Sequence, residues 1–284
     1  MITDNGSYRP ESTYSLRSLA ERLGAQVGHK IHAVSLLHST KIDPEKLGGI
    51  PAEIFEPFIK KMRKEGFNKF HVTPMFFGPS AAVKEYLLQR VEALQEGGWP
   101  ELEVHVAPCV VEPLNMEDTR MAQILVDNIY KTKEEEGYET PSVAIVDHGA
   151  PRKTVTDVRN HLAAQVRQLL PAETFPHVGP CSMERREGDE YAFNEPLLEA
   201  VVGQEGYQQE VIVSMLFASP GRHAGPDGDV WEICDEAARE HEGLRWKMTD
   251  LCAKHDGLIE ILAERFHQGM ESEPVCWAKV KHLY

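Results

Sequence analysis

The chain has 284 residues, 42% of them apolar and 26% charged, with a formal net charge of −15. This is the make-up of a soluble globular protein long enough for one large domain or two ordinary ones, and it sets nucleic acid and anionic membrane surfaces aside as partners. No stretch approaches the roughly 20 apolar residues of a membrane span, and five scattered cysteines without a CxxC pair argue for reduced, core thiols in a cytoplasm, not for a disulfide framework or a cysteine-ligated metal.

In chain order, "MITDN" is read as a truncated first strand, and "MITDNGSYRPEST" lacks the basic start and apolar run of a signal peptide. Short β-branched segments follow at 31–37, 70–77, 103–111, 142–148, 175–183, 210–218 and 244–250. Between them, helical spacing of apolar residues predicts helices over 11–27, 51–66, 81–97, 115–137, 153–170, 194–202, 229–241 and 256–270. Strands alternating with helices of this length predict an α/β fold of parallel sheets flanked by helices. The polar, turn-forming "EEEGYETPS" at 134–142 divides the chain into two similar halves, 1–138 and 139–284, each reading β-α-β-α-β-α-β-α.

The halves share a turn. "ITDNGSYR" (2–9) aligns with "IVDHGAPR" (145–152), so that Asn5 falls on His148 at an offset of 143, and Gly78 falls on Gly221 at the same offset. In open parallel sheets ligands bind beyond the carboxyl ends of the strands, where "VDHGAPR" and "MLFASPGRHAGPDGD" both lie. Neither GxGxxG nor GxxxxGK occurs, so no nucleotide cofactor is expected.

His148, Glu184 in "CSMERREGDE" and His223 in "SPGRHAG" follow three strands of the second half. Two imidazoles and a carboxylate suit a divalent transition metal, and the matching turns of the first half lack both histidines (Asn5, Ser80). Arg152, Lys153, Arg185, Arg186 and Arg222 flank these loops as candidate partners for an anionic ligand, and Arg9 in the first half matches Arg152. A hydrolase triad of Ser182 or Ser219 with His148 and Asp147 has no GxSxG elbow behind it. "GPDGD" lacks the further acidic ligands of a calcium loop. His38 ends a first-half strand beside a loop, within reach of a cleft.

At "DHGAPR" and "SMLFASPGRHAGPDGDV" the chain resembles the class II tetrapyrrole chelatases of the CbiX/SirB group of sirohydrochlorin chelatases, over nearly its whole length. The resemblance implies a bilobal fold with a central cleft and ATP-independent insertion of Co²⁺ or Fe²⁺, as substrate, into sirohydrochlorin or a related tetrapyrrole, on the path to cobalamin or sirohaem. It implies that His148 and His223 bind the metal and act in catalysis, and that Glu184 supplies a carboxylate. The site histidines stand only in the second half, so the first half reads as a scaffold forming the other wall of the cleft. The chain is expected to be a monomer or homodimer. A carrier of metal or tetrapyrrole without turnover is the alternative, and an unrelated hydrolase a weaker one.

Overall fold

In the computed structural model residues 1–276 are described. Its α/β architecture of parallel strands and covering helices is the one expected. The strands are β1 (Ile2–Thr3), β2 (Val34–Ser35), β3 (Glu53–Ile54), β4 (Lys69–Pro74), β5 (Glu103–Val106), β6 (Ser142–Asp147), β7 (Val178–Ser182), β8 (Glu210–Met215) and β9 (Arg245–Met248). The helices are α1 (Pro10–Val27), α2 (Phe55–Lys64), α3 (Leu87–Glu96), α4 (Arg120–Glu136), α5 (Lys153–Leu169), α6 (Asp229–Glu240) and α7 (Gly257–Met270).

Contacts divide the chain into two compact units, one of Met1–Pro113 with the described residues from Ile259 to Cys276, the other of Leu114–Leu258. This differs from a division at 138/139 by one helix at each end of the middle block. Helix α4 buries Met121, Ile124, Leu125 and Ile129 in the second unit, where it packs on α5 and β8. Helix α7 closes the first unit: Phe266 stands edge-on to His71, and Arg265 Nε donates to the Cys109 carbonyl at 3.1 Å. An amphipathic stripe demands an apolar partner without naming it, so the pattern of α4 and α7 predicts helices but not which sheet each covers.

The second unit holds one parallel sheet in the order β7-β6-β8-β9. All six residues of β6 are buried, as a central parallel strand requires. Its core joins Val146, Cys181, Val213, Met215, Val230 and Cys234. The first unit has the order β1-β4-β5. Ala33 bridges Ile2 in parallel, which extends that sheet on the β1 side. Its core joins Val34, Phe55, Phe58, Ile59, Val72 and Val104.

Several predicted elements come out differently: the helix expected from 115 begins at Arg120, and the strand expected to 111 ends at Val106. The helix expected at 194–202 is instead two short 3-10 turns, Asp189–Asn194 and Leu198–Ala200. Pro196, which lacks an N–H and clashes with a preceding helical turn, separates them. The helix expected from 51 begins at Phe55, because Glu53 and Ile54 pair in parallel with Val34 and Ser35. Four cysteines are buried and Cys276 is only partly so; all five are free thiols. Among the described residues no helix is long and apolar enough to cross a membrane.

Candidate functional site

His148 is the first residue beyond β6, and a tight turn holds it there. Gly149 has φ +90°, and a Cβ on it would lie 1.9 Å from the Glu184 carbonyl oxygen. Only glycine lets the two loops close this far. Across the gap Met183 N donates to the Asp147 carbonyl (2.8 Å) and Glu184 N to that of His148 (3.2 Å). The pairing of β6 with β7 therefore continues past the sheet edge and brings Glu184 beside His148.

A buried polar network supports the turn. Asp147 accepts from Gly149 N (3.1 Å) and from Ser182 Oγ (2.6 Å), and its Oδ1 is 3.7 Å from Nη1 of Arg159. Arg159, only 1% exposed, also donates to Ser182 Oγ and to the Asn194 carbonyl. Asn194 accepts from Ala150 N (3.0 Å) and Thr156 Oγ1 (2.9 Å) and donates back to the Ala150 carbonyl (2.9 Å). Burial pushes the Asp147 carboxyl up against the pull of Ser182, Arg159 and the Gly149 amide, and it pulls the Arg159 guanidinium down. Ser182 is fully buried and engaged with Asp147 and Arg159, so it has no place in a triad with His148. Removing one member of such a pair strands the other charge. Asp147→Ala is expected to cost the second unit on the order of 3–5 kcal/mol in urea unfolding.

The three candidate ligands meet around His148. Its ring lies edge-on to that of His223, centroids 4.5 Å apart at 78°, and its Nε2 is 3.6 Å from Glu184 Oε1. His148 Nδ1 is 3.0 Å from the Gly149 carbonyl oxygen, which can only accept, so Nδ1 donates there and in the neutral ring the lone pair is on Nε2. His223 Nδ1 lies 2.5 Å from Asp229 Oδ2, which selects the same tautomer. Both imidazoles therefore offer Nε2 as the free donor. Among the described residues no group of three or more His, Cys, Asp or Glu side chains, this trio included, is arranged so that it could hold a metal ion as it stands. The trio is an open arrangement.

The candidate cations divide. Arg222 is exposed, with Nε 3.7 Å from Asp229 Oδ2. Arg185 is bound up locally, pairing with Glu195 (2.9 Å) and donating to the carbonyls of Arg186 and Gly188. Arg186 lies over the Tyr191 ring. Arg152 and Lys153 open α5, where Lys153 pairs with Asp157. Arg9 lies in the other unit, ahead of α1. Sequence reasoning missed Asp229, although it opens a predicted helix six residues after His223. It also missed Arg159, whose signal was a cation on the apolar face of a predicted helix.

The first unit repeats the turn without the ligands. Leu36 N donates to the Asp4 carbonyl (2.8 Å) and Leu37 N to that of Asn5 (3.1 Å). Gly6 has φ +88°, and a Cβ there would lie 1.8 Å from the Leu37 carbonyl oxygen. Asn5 and Leu37 thus hold the places of His148 and Glu184.

No protein-family model and no curated protein matches the chain in sequence. Solved structures do match. SirB from Bacillus subtilis with Fe³⁺ superposes with a TM-score of 0.65 at 12% identity, over 95% of this chain and 94% of that one. The sirohydrochlorin chelatase SirB from Bacillus subtilis subspecies spizizenii, in complex with cobalt, matches to the same extent. The chain has the chelatase fold. DR2241 from Deinococcus radiodurans, a multi-domain protein with structural similarity to chelatases, matches at a TM-score of 0.58 and 13% identity, over 99% of this chain and 59% of that one. Within this chelatase fold, His148 and His223 face one another beyond the strand ends of the second unit's sheet.

Proposed function

We propose that the chain inserts a divalent metal ion, Co²⁺ or Fe²⁺, into sirohydrochlorin or a related tetrapyrrole without nucleotide, in cobalamin or sirohaem biosynthesis. The observation that carries this reading is the pair of facing imidazoles, both with Nδ1 engaged and Nε2 free, beside the Glu184 carboxylate at the end of β6. The SirB structures with Fe³⁺ and with cobalt support it through the shared fold.

The chemistry follows from the donor set. Neutral imidazole nitrogens suit first-row divalent ions, and an open arrangement lets ring nitrogens of the substrate replace them one at a time. Insertion displaces two pyrrole N–H protons. Glu184, exposed beside His148, is the group placed to accept one of them, and an imidazole freed of metal can take another. Arg152, Arg186 and Arg222 remain candidates for the substrate's carboxylates, whereas Arg185 pairs with Glu195 and Lys153 with Asp157.

The test is anaerobic conversion of sirohydrochlorin, followed by absorbance, with Co²⁺ and separately with Fe²⁺, at metal levels where spontaneous insertion is slow. Faster conversion than in the protein-free control is expected, and the faster metal points to the pathway. Rates equal to the control with metal binding retained would overturn the enzyme reading in favour of a carrier.

Asp229 enters this function by orienting His223. Asp229→Ala removes the acceptor that holds Nδ1–H, and outer-shell losses of this kind weaken metal binding by roughly 10–100-fold. Equilibrium dialysis with Co²⁺ is expected to show that loss, with Asp229→Asn, which keeps an acceptor, recovering part of it.

A further inference from the structure

The first unit carries a second cluster of polar side chains, at the strand end where Asn5 takes the place of His148. The close approach at Gly6 brings Tyr8 against His38, ring centroids 5.1 Å apart, with Tyr8 Oη 3.2 Å from His38 Nδ1. Lys41 Nζ donates to Tyr8 Oη at 3.4 Å and lies 5.3 Å from the centre of its ring. With the phenol oxygen accepting from Lys41, its own proton goes to His38 Nδ1, and His38 Nε2 carries the other hydrogen. Arg9 follows Tyr8 directly and is exposed.

Every unspent group here is a donor: the remaining Lys41 N–H bonds, His38 Nε2–H and the Arg9 guanidinium. Neither Lys41 nor Arg9 has a carboxylate partner among the described residues. The chain has 45 acidic side chains for 30 Lys and Arg, so neighbouring cations would readily find partners if pairing were their role. A metal ion would be repelled by Lys41, while an anion meets only donors. The backbone points the same way. His38 sits at φ +66°, ψ −43°, a conformation that strains any side-chain-bearing residue. It is held there by Ser39 N donating to the Leu37 carbonyl (2.8 Å) and Lys41 N to that of His38 (2.9 Å). Ser39 Oγ in turn donates to Ser35 Oγ (2.9 Å) and accepts from Ser7 N (3.3 Å). Strain maintained by a surrounding framework at a chemistry-bearing residue is a mark of a used position.

We propose that Tyr8, Arg9, His38 and Lys41 form a binding site for the carboxylates of a polycarboxylate ligand. The chemistry has two sources, a carboxylate-bearing tetrapyrrole or a small free polycarboxylate, and only the first rests on the proposed function. The experiment uses the intact chain with metal-free sirohydrochlorin, read by fluorescence quenching, and with tricarballylate, read by NMR shifts of the Tyr8 and His38 side chains.

Lys41→Met is expected to weaken sirohydrochlorin binding roughly tenfold, the loss of one charge-assisted hydrogen bond, and Lys41→Arg to keep most of it. Co²⁺ binding is expected to be the same in both variants and in the parent. Competition by tricarballylate would identify the site as one for carboxylates in general; sirohydrochlorin binding sensitive to Lys41 but indifferent to tricarballylate would identify the tetrapyrrole as its ligand. Equal affinity of parent and Lys41→Met for both probes would overturn the proposal. If the parent does not bind sirohydrochlorin at all, the proposed function falls and tricarballylate decides this inference alone. Shifts at Tyr8 and His38 that vanish in Lys41→Met would then support it, and no shifts would overturn it.

Discussion

Gly149→Ala is expected to destabilise the second unit and to spoil the site together. Two costs add. At φ +90° an L side chain sits in a region disfavoured by about 1–2 kcal/mol. The new Cβ would also lie 1.9 Å from the Glu184 carbonyl oxygen, which is backbone and cannot swing aside as a flexible side chain would. The loops must part, a forced shift worth roughly 1–3 kcal/mol more. The sum, about 3 kcal/mol, corresponds to a Tm lower by roughly 6–12 °C for a unit of this size. Gly137→Ala is the control. Gly137 has φ +64° with nothing within 4 Å of its would-be Cβ, so only the backbone term, about 1 kcal/mol, applies. Thermal unfolding of both variants separates strain from overlap, and equal shifts in the two would mean that the loops yield freely. Because the overlap is with the residue that carries the Glu184 carboxylate, Gly149→Ala should also lower Co²⁺ binding, whereas Gly137→Ala should not.

His148→Ala and His223→Ala are each expected to lower the rate of metal insertion by on the order of 100-fold or more. On the proposed function each removes the Nε2 that would meet the metal, and loss of one positioned acid–base group alone costs about 10²–10⁴-fold. The double variant should be little worse than either single one, since groups that act on one ion act as a unit. Stability offers the contrast. The His148 side chain is nearly half exposed, and its contacts with Glu184 and the Gly149 carbonyl lie at the surface of the turn, so its loss should move the folding free energy by no more than about 0.5 kcal/mol. Urea unfolding and the absorbance assay on the same preparations test both halves of the expectation. A variant that folds as the parent does and inserts metal at the parent's rate would remove His148 from the site.

Much of the fold was legible because its signals are local. Alternation of β-branched runs with amphipathic stretches located seven helices and the strands between them to within a few residues. The repeated "DNG" and "DHG" turns were legible for the same reason. A glycine after a strand-end Asp reports a backbone that must bend sharply, and both copies do so, at Gly6 and Gly149, against the carbonyls of Leu37 and Glu184. The segment 194–202 misread as helix because its apolar spacing is helical, whereas only the single turn Leu198–Ala200 forms there, with Pro196 parting it from the turn before.

Of the candidate site, the sequence by itself offered two histidines and a carboxylate after predicted strands of one half, since strands alternating with helices run parallel and end on one edge of their sheet. Tertiary structure alone decided how they meet: which ring nitrogen each histidine offers, through the Gly149 carbonyl and Asp229, and that Ser182 and Arg159 together hold Asp147 in a buried network. It also decided that α4 packs in the second unit and α7 in the first. The physical reason is the same in each case. Periodicity records that a face must be buried or a proton shared, but the partner lies far along the chain and is chosen by packing.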